Sequence, residues 1–400
     1  MNSRIFLFVI VVLIACLSQF ASDIYAPSLS VISTQLHASL NQVQWSMAIY
    51  MFGVALSLLF YGPISEGLGR KWTLAIGLCI VVIGSIMACF APSIGVLILS
   101  RFVQGVGAGS CTGLVRAIFR DVFSGDELAK YGSYLMISIV FVVPAAPAIG
   151  AYLQHFLGWR SIFIFMMCYA FIVLVVLIRF FRETNQHHQL DRLKPTFIVK
   201  SYGQVLTSRV FIGMTVCSFL TYGAFFAWFT ASPILLIHNL HMTPVTYGWI
   251  NCIGGGLAYG VSGLLNGRLV TKFGAANMMR FGWAIMLSAG VLMLLGHLYI
   301  GMSAWVIFVP AILFFIGSTF IYPNASAIAM TPFGKLAGYA GALYSFIQVA
   351  GAAFFGVLIS HLPDSNQLPL AVVFIVAALL CLFIYQGVVH RIGTGVMQIA

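Results

Sequence analysis

The feature that most limits how this chain can fold is a succession of long apolar segments separated by short polar ones. A helix of about 20 apolar residues crosses the hydrocarbon core of a bilayer. Segments of at least that length lie at residues 5–33, 44–64, 72–91, 94–119, 131–154, 160–181, 211–237, 244–267, 278–299, 303–330, 336–361 and 368–390. Charged residues make up only 7% of the chain, whereas a soluble protein has about 25%. The sequence therefore predicts an all-α integral membrane protein with twelve transmembrane helices.

The basic residues predict how these helices are oriented. Of the 19 Lys and Arg residues, 17 fall at the chain ends, in the even-numbered linkers or in the helical turn next to one of these linkers. The exceptions are Arg101, inside the fourth predicted helix, and Arg160, on the opposite side. Because cytoplasmic loops carry an excess of Lys and Arg, both termini are predicted to be cytoplasmic. The net charge of +11 is then a topology signal that favours a lipid bilayer as partner and no nucleic acid.

The longest polar segment divides the predicted helices into two blocks of six. It separates an N-terminal bundle at residues 1–181 from a C-terminal bundle at residues 209–400, with a cytoplasmic linker at residues 182–208. Within this linker, residues 195–206 are predicted to form a short amphipathic helix. The glycine-containing loop at residues 62–71 of the first block has a counterpart at residues 266–274 of the second, which indicates pseudo-symmetric bundles. Such a 6+6 plan is typical of two-bundle transporters.

Metal, cofactor and catalytic signatures are absent from the sequence. The 8 cysteines form no Cys-x-x-Cys pair and lie within apolar runs, so we interpret them as small buried hydrophobic residues. The adjacent His187 and His188 lie in the polar linker and are interpreted as solvated residues and not as a metal site. No phosphate loop, Gly-x-Ser-x-Gly or His-Glu-x-x-His motif is present. We therefore expect no cofactor, no metal and no enzymatic activity.

The first predicted helix contains Asp23, the only acidic residue that the helix assignment places at membrane depth. A carboxylate there costs about 3 kcal/mol or more, so it must be used, paired or protonated. At 1.5 Å per residue, Asp23 and Arg101 lie about 15 Å and about 10 Å from the outer ends of their helices. A direct or water-bridged pair is therefore feasible, and the alternative is that Arg101 extends outward to the membrane interface. Pro27, one turn on, predicts a bend or an unwound turn beside the carboxylate.

The loop between the second and third predicted helices contains Gly62, Glu66, Gly69, Arg70 and Lys71. The glycines permit a sharp turn between two helix ends. The charged residues are candidates for ion pairs between the two helical blocks at the cytoplasmic face. The alternative is an ordinary basic turn.

The fifth predicted helix contains Pro144, Pro147 and Gly150 within seven residues. Two prolines and a glycine remove helical hydrogen bonds and bend the helix, which a membrane protein tolerates only where neighbouring groups compensate. The alternative to a functional role is a simple kink.

Three segments, at residues 62–72, 97–109 and 144–151, together resemble the major facilitator superfamily. The loop at residues 62–72 is similar to the superfamily's loop signature, with Glu66 where Asp is usual and Gly67 where Arg is usual. Residues 97–109 resemble its helix-4 motif, in which the Arg is linked to proton coupling. Residues 144–151 resemble the antiporter motif of drug-exporting members, with Ala151 where a second Gly is usual.

Shorter segments narrow the resemblance to one branch. They are residues 23–27, 116–121, 158–160, 182–184, 232–233 and 322–325. Their order resembles the bicyclomycin-resistance-type (Bcr/CflA) branch of the drug:proton antiporters. The resemblance implies a monomer that exports small amphiphilic compounds across the bacterial cytoplasmic membrane in exchange for protons, by alternating access of two six-helix bundles.

The resemblance also implies where substrate binds, because helices 1, 4, 7 and 10 line the cavity in this fold. Aromatic faces and a few amides suit amphiphilic or cationic solutes. The candidate substrate contacts on these helices are Tyr25, Gln104, Tyr222, Phe225, Phe226, Trp228, Ser232, Tyr322 and Asn324, and the candidates from neighbouring helices are Tyr50, Asn251 and Gln348. The alternative for each of them is packing against lipid or core.

The leading hypothesis is a proton-coupled exporter in which Asp23 alternates between a protonated state and an ionised state that faces Arg101. Burial favours the neutral form of a carboxyl group, and a nearby cation favours the ionised form. A second hypothesis keeps the fold and changes the cargo to an endogenous metabolite or a siderophore. A third is a membrane sensor or enzyme without transport, which the lack of a long soluble domain disfavours.

Overall fold

The computed structural model describes residues 3–123, 125–185 and 195–390, and every regular element in these ranges is helical. The helices are α1 (Ser3–Asp23), α2 (Leu29–Gln35), α3 (Leu40–Leu68), α4 (Arg70–Cys89), α5 (Ile94–Val122), α6 (Gly125–Leu157), α7 (Arg160–Phe180), α8 (Pro195–Leu206), α9 (Arg209–Pro233), α10 (Pro244–Ile250), α11 (Gly256–Ile300), α12 (Ala304–Thr319), α13 (Tyr322–Met330), α14 (Ala337–Ser360) and α15 (Leu368–Ile384). Short π-helical segments, Ile234–Asn239, Asn251–Gly255 and Tyr385–His390, continue α9, α10 and α15. Each of the twelve predicted helices overlaps a helix of the structure.

The chain divides into two units. Unit 1 comprises Met1–Val199 and Thr243–Gly256, and unit 2 comprises Lys200–Met242 and Leu257–Ala400. Unit 1 thus includes α1 to α7 and also α10, which packs against α6. The domain limits at residues 181 and 208 stay a prediction.

The helices have the length and composition of membrane spans. Within the described residues, ten helical stretches are long and apolar enough to cross a bilayer. The longest, Pro244–Ile300, has 57 residues and is interrupted at Gly274, where φ is 77° and ψ is 156°. It therefore corresponds to two predicted helices, and α6, with 33 residues, corresponds to the helix predicted at 131–154. The protein is a multi-pass membrane protein.

Two of the predicted helices are interrupted in the structure. The first is not continuous from residue 5 to 33, because α1 ends at Asp23 and a 3-10 turn, Ala26–Ser28, precedes α2. Pro27 has no amide hydrogen and disfavours helical backbone at the residue before it. The tenth predicted helix is likewise divided, since α12 ends at Thr319 and α13 begins at Tyr322, beside Pro323.

The linker helix predicted at residues 195–206 is confirmed as α8. His187 and His188, in the same linker, lie outside the described residues.

The interpretation of every cysteine as buried is wrong, because Cys79 on α4 and Cys168 on α7 are exposed. In a chain that lipid surrounds, an apolar side chain needs no burial within the protein to avoid water.

Glycines allow α3 and α5 to pack closely. A Cβ atom added at Gly53 would lie 2.6 Å from the carbonyl oxygen of Phe102, and one added at Gly105 would collide with the carbonyl oxygen of Tyr50. Small residues at helix crossings are what permits backbones to approach this closely in membranes. The contact fixes the positions of Tyr50 and of the residues of α5 next to it.

A carboxylate holds the end of α7 to the beginning of α4. Glu183 accepts hydrogen bonds from the first two backbone amides of α4, at 2.8 Å from Arg70 N and 3.0 Å from Lys71 N. A negative group at a helix N-terminus satisfies amides that lack an intrahelical partner and opposes the helix dipole. Gly69 makes room for it, because its φ of 89° suits glycine and a Cβ there would overlap the Glu183 carboxylate.

We expect Gly105→Ala to destabilise the protein by about 1–3 kcal/mol, the usual range for overpacking a well-filled site. Gly95→Ala is the matched control, because Gly95 lies on the same helix and an added Cβ meets nothing within 4 Å. The measurement is the unfolding midpoint of each purified variant in detergent. Equal midpoints for the two variants would contradict a close α3–α5 contact.

We expect Glu183→Gln to destabilise the protein by about 1–2 kcal/mol, because the two helix-terminal amides bind different carboxylate oxygens and a Gln side chain keeps only one acceptor. Asp364→Asn is the control, since Asp364 is exposed and accepts a hydrogen bond from Asn239 through its backbone oxygen. The same unfolding assay measures both. A loss as large in the control would mean that the effect comes from net charge and not from the helix cap.

Candidate functional site

A buried arginine lies at the centre of a polar cluster in unit 1. Arg101 is 1% exposed, and its Nη1 donates to the Ala21 carbonyl oxygen at 2.9 Å and to Gln104 Oε1 at 2.5 Å. The guanidinium carbon lies 4.2 Å from the ring centroid of Tyr50 and 5.2 Å from that of Tyr25. Arg101 therefore does not extend to the surface, and three of the predicted substrate contacts surround it.

Two donors of Arg101 remain open. Nε and Nη2 are buried and have no hydrogen-bond partner among the described residues. Neither forms an ion pair with Asp23, since the described residues contain no Asp23–Arg101 contact within 4.0 Å. Arg101 instead binds the carbonyl oxygen of Ala21, two residues before Asp23. The structure thus brings the predicted pair into one cluster without a direct bond.

Asp23 is 3% exposed and makes its hydrogen bond to the neighbouring serine. Ser22 Oγ lies 2.5 Å from Asp23 Oδ1 and 3.0 Å from the Gln19 carbonyl oxygen. A hydroxyl group has one proton to donate and lone pairs to accept with. Ser22 can therefore donate to an ionised Asp23, or accept from a protonated Asp23 while it donates to Gln19.

The break after α1 makes the arginine contact available. The last four carbonyl oxygens of a helix have no intrahelical partner. In α1 the carbonyl of Phe20 accepts from Ile24 N at 3.1 Å, and the carbonyl of Ala21 accepts from Arg101. The bend that Pro27 predicts thus supplies an acceptor for a buried cation.

Hydrogen bonds to three serines that were not predicted as site residues complete the cluster. Gln104 Nε2 donates to Ser85 Oγ at 2.8 Å, and Tyr50 OH donates to the Ser18 carbonyl oxygen at 2.9 Å. Tyr25 OH and Ser46 Oγ lie 2.9 Å apart. Serines are common in apolar helices, where they bond to their own backbone, so their type and spacing carried no signal for this role.

The predicted antiporter motif lies against the Asp23 stretch. A Cβ added at Gly150 on α6 would collide with the carbonyl oxygen of Ile24, the residue after Asp23. On α10, a Cβ added at Gly248 would lie 2.6 Å from Ala148 Cα and 3.1 Å from the Pro147 carbonyl oxygen. Pro147 is buried, and the side chain of Pro144 lies outside the described residues. Segment 147–150 is therefore packed between the break in α1 and α10.

In unit 2 the predicted aromatic contacts form one cluster. Phe225 has ring centroids at 5.9 Å from Tyr222 and 5.4 Å from Phe315. Tyr322 lies 5.8 Å from Tyr222, and Trp228 lies 5.9 Å from Phe315. Tyr222 and Tyr322 are half-buried, whereas Trp228 is fully buried. Phe315 joins this cluster although the sequence analysis did not select it, because one more phenylalanine in a phenylalanine-rich helix carries no distinguishing signal.

The polar candidates of the C-terminal half lie on different helices. Asn324 Nδ2 donates to Asn266 Oδ1 at 2.9 Å and to the Phe320 carbonyl oxygen at 2.7 Å, beside the break between α12 and α13. Asn251 belongs to unit 1 and donates to the Tyr247 carbonyl oxygen at 2.9 Å. Ser232 is fully buried and Gln348 is half-buried.

The charged loop residues form a network within unit 1. Arg70 Nη2 lies 2.8 Å from Glu66 Oε1, Arg70 Nε lies 3.0 Å from Asp121 Oδ2, and Arg70 Nη1 also donates to Ser65 Oγ. Lys71 Nζ donates to the Ile178 carbonyl oxygen at the end of α7, at 2.9 Å. Gly62 precedes these residues on α3. The network joins the ends of α3, α4, α5 and α7.

Asp121 and Glu183 belong to this network but were not among the selected site residues. Both occur in the short segments that carry the branch resemblance, which is the signal that was available for them. The described residues contain no group of three or more His, Cys, Asp or Glu that could hold a metal ion.

Comparison with known proteins identifies the family. The model of the Major Facilitator Superfamily matches residues 11–355. A bicyclomycin resistance protein homolog of Haemophilus influenzae is 26% identical over 367 residues, which are 91% of this chain and 92% of that protein. Multidrug resistance protein D of Escherichia coli is 27% identical over 387 residues, 97% of this chain and 96% of that protein.

Solved structures confirm the predicted fold class. The xylose transporter XylE from E. coli, in a partially occluded inward-open conformation, aligns with a TM-score of 0.74 at 13% identity and covers 97% of this chain and 98% of that one. At this identity the likeness supports the fold alone. The family match makes the protein a transporter and not an enzyme: the chain belongs to the Major Facilitator Superfamily.

Proposed function

We propose that the protein exports small amphiphilic compounds, such as drugs, in exchange for protons by alternating access. The observation that carries this proposal is the match to relatives named for bicyclomycin and multidrug resistance over more than nine-tenths of both chains. The packing of the antiporter-type segment 147–150 against the residue after Asp23 supports export in particular.

Asp23 is the proposed proton carrier. Its carboxyl group is 3% exposed, and a carboxyl group in an apolar site prefers the neutral form unless a cation or donors favour ionisation. Ser22 supports both states, because it can donate to the carboxylate or accept from the acid. A site with a hydrogen-bond partner in either state can change its protonation without leaving a buried polar atom unsatisfied.

Arg101 is the proposed partner of the ionised state. Its charge is fixed at any physiological pH, and its Nε and Nη2 groups lack partners in the described residues. A change of the Asp23 side chain toward these two donors would give the carboxylate charge-assisted hydrogen bonds. Substrate bound nearby would then compete for the same donors, which couples proton release to substrate binding.

The proposed substrate contacts are aromatic. In unit 1 the rings of Tyr25 and Tyr50 lie against the Arg101 guanidinium, and in unit 2 the rings of Phe225 and Tyr322 lie against Tyr222. Aromatic faces bind flat or cationic solutes without demanding one arrangement of hydrogen bonds. Gln104, Trp228, Ser232, Asn251, Asn324 and Gln348 are kept as further candidates.

The proposed location is the bacterial cytoplasmic membrane, with both termini in the cytoplasm. The concentration of Lys and Arg in the even-numbered linkers supports this orientation. The proposed working form is a monomer with protons and a small molecule as its partners.

We expect Asp23→Asn to abolish proton-driven efflux, because an amide cannot bind and release the proton. The measurement is uptake of a panel of amphiphilic dyes, drugs, a siderophore and a peptide into inside-out vesicles with an imposed pH gradient. A loss of at least about 100-fold is expected, since removal of an essential group typically costs 10²–10⁴-fold.

Asp364→Asn is the matched control, because it removes a carboxylate that is exposed at a loop. Membrane insertion of both variants is checked by quantifying the protein in washed vesicles. Undiminished pH-driven uptake by a correctly inserted Asp23→Asn variant would overturn the role of Asp23. Uptake of the siderophore alone would instead identify a dedicated exporter.

A further inference from the structure

Unit 2 carries almost no negative charge. After Asp191 the only acidic residue in the sequence is Asp364. Lys200, Arg209, Arg268 and Lys272 are exposed in this unit. None of them has an ion-pair partner within the part of the chain that the structure describes.

Contacts between helix ends place these basic residues at one end of unit 2. Tyr202 on α8 lies 5.8 Å from Tyr339, near the beginning of α14. Phe211, near the beginning of α9, lies 5.6 Å from Phe333, just before α14. Because α8 ends at Leu206 and α9 begins at Arg209, Lys200 and Arg209 lie at this same end.

The bend in α11 belongs to the same end. Arg268 and Lys272 precede Gly274, where α11 bends, and Arg280 follows it. The guanidinium of Arg280 lies 5.1 Å from the ring of Tyr385, just after the end of α15. The segment that follows α15 packs against α9.

The single acidic residue lies at the opposite end. Asn239 Nδ2 donates to the Asp364 carbonyl oxygen at 2.7 Å. Asn239 ends the helical stretch that Arg209 begins, which puts them about 45 Å apart at 1.5 Å per residue. Asp364 therefore cannot neutralise Lys200, Arg209, Arg268, Lys272 or Arg280, which we name the basic end of unit 2.

In unit 1, by contrast, carboxylates of the same unit bind the basic residues and helix amides at the equivalent loop. The loop that contains Gly69 and the bend at Gly274 have the same backbone conformation, with φ of 89° and 77° and ψ of 161° and 156°. Around Gly69 the cations and helix amides bind Glu66, Asp121 and Glu183. No acidic residue of unit 2 is available to do this at Gly274, so an anion that binds there comes from outside the unit.

The membrane supplies such an anion. Leu206 on α8 and Ile212 on α9 are exposed apolar side chains beside the exposed Lys200 and Arg209. Cations next to apolar side chains at a helix end are typical of the interface between headgroups and hydrocarbon. We propose that the basic end of unit 2 binds the phosphate headgroups of anionic phospholipids in the leaflet that it faces.

The proposal is independent of proton coupling and of the exported compound. Each Lys or Arg near an anionic membrane surface contributes a free energy that corresponds to about a fivefold change in affinity. Arginine and lysine suit phosphate because they donate several charge-assisted hydrogen bonds to its oxygens. The same surface has little reason to prefer a zwitterionic headgroup, whose ammonium group cancels the charge of the phosphate.

The test measures binding of phosphatidylglycerol and of phosphatidylcholine to the full-length protein in detergent, by native mass spectrometry over a lipid titration. We expect wild type to prefer phosphatidylglycerol. The double variants Lys200→Gln/Arg209→Gln and Arg268→Gln/Lys272→Gln are each expected to lose affinity for it by about fivefold per charge. Lys130→Gln is the control, because it removes a single exposed cation from unit 1 and is expected to lose less affinity than either double variant.

Any of the following results would overturn the proposal. One is equal binding of the two lipids by wild type. Another is an unchanged phosphatidylglycerol affinity in both double variants, or an equal loss in the control. The third is complete displacement of the lipid by millimolar inorganic phosphate, which would indicate a site for a small anion. Unfolding midpoints in lipid-free detergent accompany each variant; lowered midpoints there would mean that the cations pair with the chain itself and not with lipid.

Discussion

The burial of a guanidinium group in a chain that lipid surrounds is the interaction on which unit 1 depends. A cation at membrane depth is costly unless protein groups replace its water. For Arg101 these groups are the carbonyl of Ala21, the amide of Gln104 and the ring face of Tyr50. The carbonyl of Ala21 is free because α1 ends at Asp23. The break in the first helix and the buried cation therefore stabilise each other, and the glycine contact between α3 and α5 keeps Tyr50 in place.

Hydropathy, prolines and the polar linker predicted most of the fold, because lipid leaves a helix as nearly the only way to satisfy the backbone of an apolar segment. The limits of α8 were predicted on a different basis, from a short amphipathic stretch that follows a polar one. The end of α12 at Thr319 was not predicted. The sequence stays apolar across that break, and apolar character does not report the backbone conformation within a segment.

The site was predictable by residue type but not by contact. Asp23 and Arg101 stand out because charges are rare at membrane depth. Tyr25 and Gln104 follow from their places on the same predicted helices, and Tyr50 follows from its place on a neighbouring one. The serines that hold them were not predictable, since Ser46 and Ser85 also bond to their own helices in the way that most membrane serines do. That Asp23 and Arg101 lie close together without a direct bond depends on side-chain conformations, which no spacing rule specifies.

The position of Asp23 at a helix end has a mechanical consequence. Inside a helix, a change in the protonation of a side chain leaves the backbone hydrogen bonds intact. At the end of α1, the groups next to the carboxyl are Ser22, which exchanges hydrogen bonds with it, and Ile24, whose carbonyl oxygen touches Gly150. Ala148 and the carbonyl of Pro147 touch Gly248 on α10, and α10 also contacts the 3-10 turn Ala26–Ser28. Contacts between backbone atoms at glycines contain no flexible side chain to absorb a shift, so a movement of residues 22–24 acts on both α6 and α10.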